Sequence, residues 1–150
     1  MKYILPFILL ALAVISCSKK EAEEQAEKDD TTIQEYINSH NLNATATGSG
    51  LYYVIDAPGT GEGCNSSSNV TVAYTGYFTD GSIFDASSPT GATFNLQQVI
   101  QGWTEGIPYF KEGGNGKLLI PSALGYGPEG SGPIPGNTVL IFDVALLDVL

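Results

Sequence analysis

Leu96–Ile107 reads L-Q-Q-V-I-Q-G-W-T-E-G-I, and its period differs from that of every segment around it. Val99, Ile100 and Trp103 fall at helical spacing on a single face, and Gly102 beside them admits a close neighbour. The spacing predicts one short helix over 96–107. On either side the period is two. N-V-T-V-A-Y-T-G-Y-F (69–78) puts Val70, Val72 and Tyr74 on one face, and L-Y-Y-V-I-D (51–56), G-K-L-L-I-P (116–121) and N-T-V-L-I-F-D-V-A-L-L (137–147) read as further strands. T-D-G-S-I-F-D-A-S (79–87) opens on an Asp-Gly turn and continues as a half-buried strand that carries Phe84 and Asp85. Several antiparallel strands and one helix predict an α+β domain, with the sheet wrapped over that helix.

The chain has 150 residues, enough for one domain with a real core. All eighteen glycines lie between Gly48 and Gly136, and residues 17–47 contain neither Gly nor Pro. That shift of composition divides the chain into residues 1–16, 17–47 and 48–150. In the first part a lysine precedes the apolar run I-L-P-F-I-L-L-A-L-A-V (4–14), which is too short to span a bilayer. V-I-S-C (14–17) follows and resembles the lipobox of bacterial lipoproteins, which implies a signal peptide over 1–16 and lipid on Cys17. Behind it, K-K-E-A-E-E-Q-A-E-K-D-D reads as an acidic tether or frayed helix. Thr32 and Glu35 form a capping box that predicts a short helix with Ile33, Tyr36, Ile37 and His40 on one face, packed on the domain behind.

Composition excludes several kinds of chemistry. The formal charge is −10 and all six basic residues are Lys, which argues against a nucleic-acid partner. The single histidine, His40, lies outside the domain on a helix face, so a hydrolytic triad has no base. Cys64 has no His or second Cys nearby and reads as an incidental thiol; metal-ligand spacing is absent. G-Y-G-P-E-G (125–130) matches a dinucleotide fingerprint in letters only, since it contains Pro128 and opens no helix. Asp80 belongs to a turn, which makes it a poor partner for Asp85 in a glycosidase pair. No metal and no cofactor is expected.

What remains is an apolar set with a few polar groups, in the motifs V-A-Y-T-G-Y (72–77), D-G-S-I-F-D-A-S (80–87), V-I-Q-G-W-T-E-G (99–106), P-S-A-L-G-Y-G (121–127) and I-P-G-N-T-V-L-I-F-D-V-A-L-L (134–147). Through them residues 50–150 resemble the FKBP-type peptidyl-prolyl cis-trans isomerases. The resemblance implies an antiparallel half-barrel curled around one short helix. It implies a proline pocket made by Tyr74, Phe84, Asp85, Val99, Ile100, Trp103, Tyr126, Ile134 and Phe142. Within it Asp85 and Tyr126 would take the catalytic roles and Trp103 would form the floor. Ala92 stands where many relatives carry another aromatic, so a more open rim is expected there. The segment from Tyr126 to Ile134 is too short for the chaperone insert of some relatives, and residues 17–47 are too few for the helical dimerisation domain of others, so a monomer is expected.

The reading is therefore an isomerase of X-Pro bonds in exported polypeptide clients, held by lipid in the bacterial cell envelope. Ser18 after the lipidated cysteine points to the outer membrane, facing the periplasm or the surface. Two alternatives stay open. One is a proline-motif binding module or holdase with incidental turnover; the other is a surface lipoprotein using the scaffold for adhesion.

Overall fold

The alternation of β6 (Asn115–Ile120) and β7 (Leu140–Val149) sorts their side chains onto two apolar faces, and both faces are covered. Leu118 and Ile120 of β6 and Leu140, Phe142, Val144 and Leu146 of β7 belong to one core cluster; Leu119 and Ile141 belong to another. A strand covered on both sides needs no polar alternation, which is why L-L-I and V-L-I-F run without a break. In the computed structural model, backbone is described from residue 5 and side chains from residue 16, through residue 150.

The other elements are α1 (Leu5–Ser39), β1 (Thr45–Ala46), β2 (Tyr52–Ala57), β3 (Asn69–Tyr77), β4 (Ile83–Ala86), β5 (Ala92–Asn95) and α2 (Gln101–Gly106). One antiparallel sheet of seven strands runs β1-β2-β6-β7-β3-β4, with β5 also paired to β3. This is the α+β architecture expected. Helix α2 sits against the larger core, where Trp103 is 4% exposed. Helix α1 covers the opposite face: Ile33 and Tyr36 pack with Val54, Leu119, Val139 and Ile141.

Several local readings are corrected or completed. The capping box at Thr32 does not start a helix, because α1 is continuous through it and Thr32 Oγ1 donates to the Lys28 carbonyl one turn earlier. Residues 17–31 are mostly good helix formers with Lys19–Glu23 and Lys20–Glu24 at i,i+4, so nothing stops the helix upstream. The second helix begins at Gln101 rather than Leu96. Asn95 folds the preceding residues into a turn, accepting from Gln97 N–H through its side chain and from Gln98 N–H through its carbonyl. Helix α2 then tightens into a 3-10 turn over Ile107–Tyr109, with Pro108 in its first positions. Finally, β1 and β5 are strands that their short patterns did not reveal.

Of the targeting segment expected over residues 1–16, residues 1–4 lie outside the described residues, and only the side chain of Ser16 is described. Among the described residues no helix is long and apolar enough to cross a membrane. Cys17 is exposed on α1, and Cys64 is half-buried beside the larger core, where burial pushes its thiol pKa up. His40 is exposed at the end of α1 with its ring stacked on Tyr36, 3.8 Å between centroids.

Candidate functional site: an aromatic cleft with one carboxylate

One edge of β3 is shared by two partners. Residues 69–72 pair with β5 and residues 75–77 with β4, so the ladder is interrupted around Tyr74. Ser87 closes that interruption: its hydroxyl accepts the Tyr74 N–H at 2.9 Å, and its own N–H donates to the Tyr74 carbonyl at 3.0 Å. The register then shifts between Gly76 and Tyr77, since Gly76 faces Asp85 while Tyr77 faces Ile83. Such a bulge re-aims side chains at a sheet edge. Here it turns Phe84 over Gly76, where a Cβ would lie 2.7 Å from both the Phe84 and Phe142 rings. Gly76 is required by this close approach of two aromatic walls.

The rings converge on Trp103. Tyr74, Phe94 and Phe142 meet it edge-on, with centroids at 5.1, 5.3 and 5.4 Å and interplanar angles of 86°, 80° and 81°. Phe84 in turn meets Phe142 edge-on at 5.5 Å. Edge-to-face contacts place the positive rim of one ring on the negative face of the next, so the cluster is fixed in orientation as well as apolar. The cleft above it has a volume of about 590 Å³, within the range of small-ligand sites.

All nine residues expected at the site line this single cleft. Val99 and Ile100 border it just before α2; Ile100 has φ −58° and ψ 148°, so its N–H lies outside the helical ladder. Tyr126 stands at the mouth, 39% exposed. Ile134, 7% exposed, is carried over the cleft by a tight turn in which Ser131 and Ile134 exchange backbone hydrogen bonds at 2.9 Å.

Asp85 is the one charged residue lining the cleft among the described residues. Its Oδ2 accepts a 2.7 Å hydrogen bond from the Tyr74 hydroxyl. Burial, and then the hydrogen bond and charge of Asp85, push the Tyr74 pKa up to about 12, so the phenol remains a donor. Asp80 is elsewhere: it is exposed in its turn, where its carboxylate takes the Ser82 N–H and hydroxyl and its pKa is lowered by them. Gly81 beside it has φ +88°, as that turn demands.

The cleft also contains residues that the sequence reading missed. Phe94 supplies a third ring against Trp103, while Gln98 and Ser131–Pro133 complete the rim. Phe94 was hidden because β5 is only four residues long; its signal is the pairing Val70↔Phe94, which extends the apolar face of β3. Ala92, where an open rim was expected, pairs with Val72 and does not line the cleft.

Residues 61–147 match the family described as FKBP-type peptidyl-prolyl cis-trans isomerase. The chain is 42% identical over 136 residues to the FKBP-type peptidyl-prolyl cis-trans isomerase FkpA of Aeromonas hydrophila, an alignment covering 88% of this chain and 51% of that protein. It thus spans about half the length of the curated relatives it matches. Its fold is similar to the crystal structure of FkpA from Escherichia coli, with a TM-score of 0.73 and 35% identity over 99% of this chain and 74% of that one. It is also similar to the structure of a peptidyl-prolyl cis-trans isomerase from Pseudomonas syringae pv. tomato, with a TM-score of 0.74 and 31% identity over 85% of this chain and 94% of that one.

Proposed function

The chain belongs to the FKBP-type peptidyl-prolyl cis-trans isomerase family, and we propose from its cleft that it accelerates rotation about X-Pro bonds in polypeptide substrates. The observation that carries this reading is the ring cluster around Trp103 with Asp85 at its rim. Rotating a peptide bond meets a barrier of roughly 18–20 kcal/mol, because amide resonance must be given up. No bond to carbon is broken, so neither nucleophile nor cofactor is needed. Water stabilises the planar, charge-separated amide more than the twisted one. A prolyl ring seated on Trp103, between Tyr74, Phe84, Val99 and Phe142, leaves that water behind and lowers the difference.

Polar groups at the rim complete the mechanism. In the twisted amide the nitrogen is pyramidal and the carbonyl less polarised, a distribution that the fixed Asp85 carboxylate favours. Its bond to Tyr74 holds both groups in place. The Tyr126 hydroxyl donates to the substrate carbonyl, and the Ile100 N–H donates to the next carbonyl along. These are preorganised electrostatic contributions, with no proton transfer.

The test is NMR exchange or protease-coupled turnover on a short X-Pro peptide with the purified protein. Acceleration that a proline-mimicking ligand blocks is expected. Tight binding of that ligand by folded protein without acceleration would replace the enzyme with a proline-binding module.

The cellular setting proposed is the bacterial envelope, with exported proteins as clients and the chain anchored as a monomer through lipid on Cys17. Val14–Cys17 and the absence of Gly and Pro over 17–47 support it, and Ser18 favours the outer membrane. Mass spectrometry of the mature protein should find acyl chains on Cys17 at its N-terminus, and Cys17→Ser should leave the precursor unprocessed. A mature N-terminus elsewhere without acyl chains would sink the anchor.

A further inference from the structure

Asp29 is the one carboxylate buried among the described residues, at 2% exposure, on a stretch of α1 otherwise open to solvent. A buried carboxylate persists only when its oxygens are satisfied. Asp29 achieves this without a cation. Oδ1 accepts from Gln25 Nε2 at 2.8 Å, and Oδ2 accepts from both the N–H and the hydroxyl of Ser122, at 2.8 and 2.5 Å. Ser122, also 2% exposed, lies 93 positions along the chain and opens the 3-10 turn Ser122–Leu124.

That turn leads directly to the mouth of the cleft. The Ser122 carbonyl accepts the N–H groups of Gly125 and Gly127, at 3.0 and 2.8 Å, which clamp the backbone on both sides of Tyr126. The Tyr126 carbonyl accepts from Gly130, and the Gly127 carbonyl from Asn137, so the segment carrying Ile134 is tied to the same frame.

We propose that Asp29 is a positioning residue for the reaction. It fixes Ser122 from the N-terminal helix and thereby sets where Tyr126 points its hydroxyl over the cleft. Helix α1 is then part of the apparatus that shapes the site, although none of its described residues lines the cleft. The inference rests on the isomerase reading for its effect on turnover, and on geometry alone for the placement of Tyr126.

The test uses the whole chain and three substitutions. Asp29→Asn keeps the side-chain shape and removes the charge. It should lower kcat/KM on a short X-Pro peptide by roughly three- to tenfold, as expected when charge-assisted hydrogen bonds are weakened. In a Tyr126→Phe background the same change should cost almost nothing further, because the hydroxyl it positions is already gone. Ser122→Ala, which retains the N–H contact, should show a smaller loss of the same kind. Ile33→Val, which loosens the helix without touching the loop, should leave turnover unchanged. Equal losses from Asp29→Asn with and without the Tyr126 hydroxyl, or an equal loss from Ile33→Val, would reduce Asp29 to a general stabiliser and overturn the proposal. NMR signals of the Tyr126 ring should shift in Asp29→Asn whether or not the protein is active, and unchanged signals would also overturn it. Absence of turnover by the unaltered protein would instead sink the isomerase reading and leave the ring signals to decide the placement.

Discussion

Asp85 and Tyr74 are locked together across β4 and β3 by a 2.7 Å hydrogen bond from phenol to carboxylate. Asp85→Asn preserves the shape and an acceptor oxygen while removing the charge. Catalytic efficiency should fall while affinity for a proline-mimicking ligand changes less, as read by turnover and calorimetry on the same samples. A parallel fall in both would mean that Asp85 only holds the Tyr74 wall in place.

The same pair sets a dependence on alkaline pH. Tyr74 has its pKa raised from 10.0 to about 12 in the folded protein, by burial first and then by Asp85. A raised folded value means that the native state holds the proton more tightly than the unfolded chain. The associated stability is fully present below about pH 10 and is lost as pH rises through about 12. Tyr74→Phe should flatten that part of the curve of denaturation midpoint against pH. An unchanged curve would assign the loss to other tyrosines, such as Tyr77, whose pKa is also raised by burial.

Trp103→Ala removes the floor beneath three rings. The loss of buried aromatic area should destabilise the domain by on the order of 3 kcal/mol or more in urea unfolding, and should abolish tight ligand binding. Retention of full affinity would mean that ligands do not rest on this ring.

Tyr126→Phe deletes one hydroxyl and leaves the ring. A neutral hydrogen bond contributes about 0.5–1.5 kcal/mol, so turnover should drop by no more than roughly tenfold with stability unchanged. If turnover survives Asp85→Asn and Tyr126→Phe combined, removal of water by the apolar cleft is sufficient by itself.

Gly102→Ala tests how closely α2 approaches the sheet. A Cβ there would lie 2.6 Å from Ile120 Cγ2 and 2.8 Å from its Cδ1. Overpacking of this kind costs about 1–3 kcal/mol, and the displaced helix should also reduce turnover by moving Trp103. Unchanged stability would show that Ile120 gives way freely.

Much of this arrangement is legible along the chain because it is written in local periods. Val70, Val72 and Tyr74 declare one face of β3 by alternation, and the spacing around Trp103 announces a short helix, although Val99 and Ile100 fall just ahead of it. Motif order then collects the nine cleft residues. The errors arise where one local signal competes with another. The T-I-Q-E box is a valid start signal, but α1 was already helical when it reached Thr32, so the signal had nothing to start. Leu96–Ile100 has helical spacing, but Asn95 captures the Gln97 N–H with its side chain and the Gln98 N–H with its carbonyl, and so delays α2. Phe94 and Asp29 were invisible for a different reason. Their significance lies in partners far along the chain, Val70 and Ser122, and no local pattern encodes those meetings.

The continuity of α1 also sets the reach of the molecule. A flexible leash behind a lipidated Cys17 would let the cleft sweep a wide volume in any orientation. A helix pinned at Asp29 to the Ser122 turn and at Ile33 and Tyr36 to the sheet behaves instead as a stiff mast. From Cys17 to Asp29 it would hold the domain about 18 Å from its anchoring point at ~1.5 Å per residue. With a lipid at Cys17, the domain would therefore keep a nearly constant distance from its anchoring point, however the helix tilts over the membrane. Chains passing within that reach would be met at high local concentration, and those beyond it would be missed.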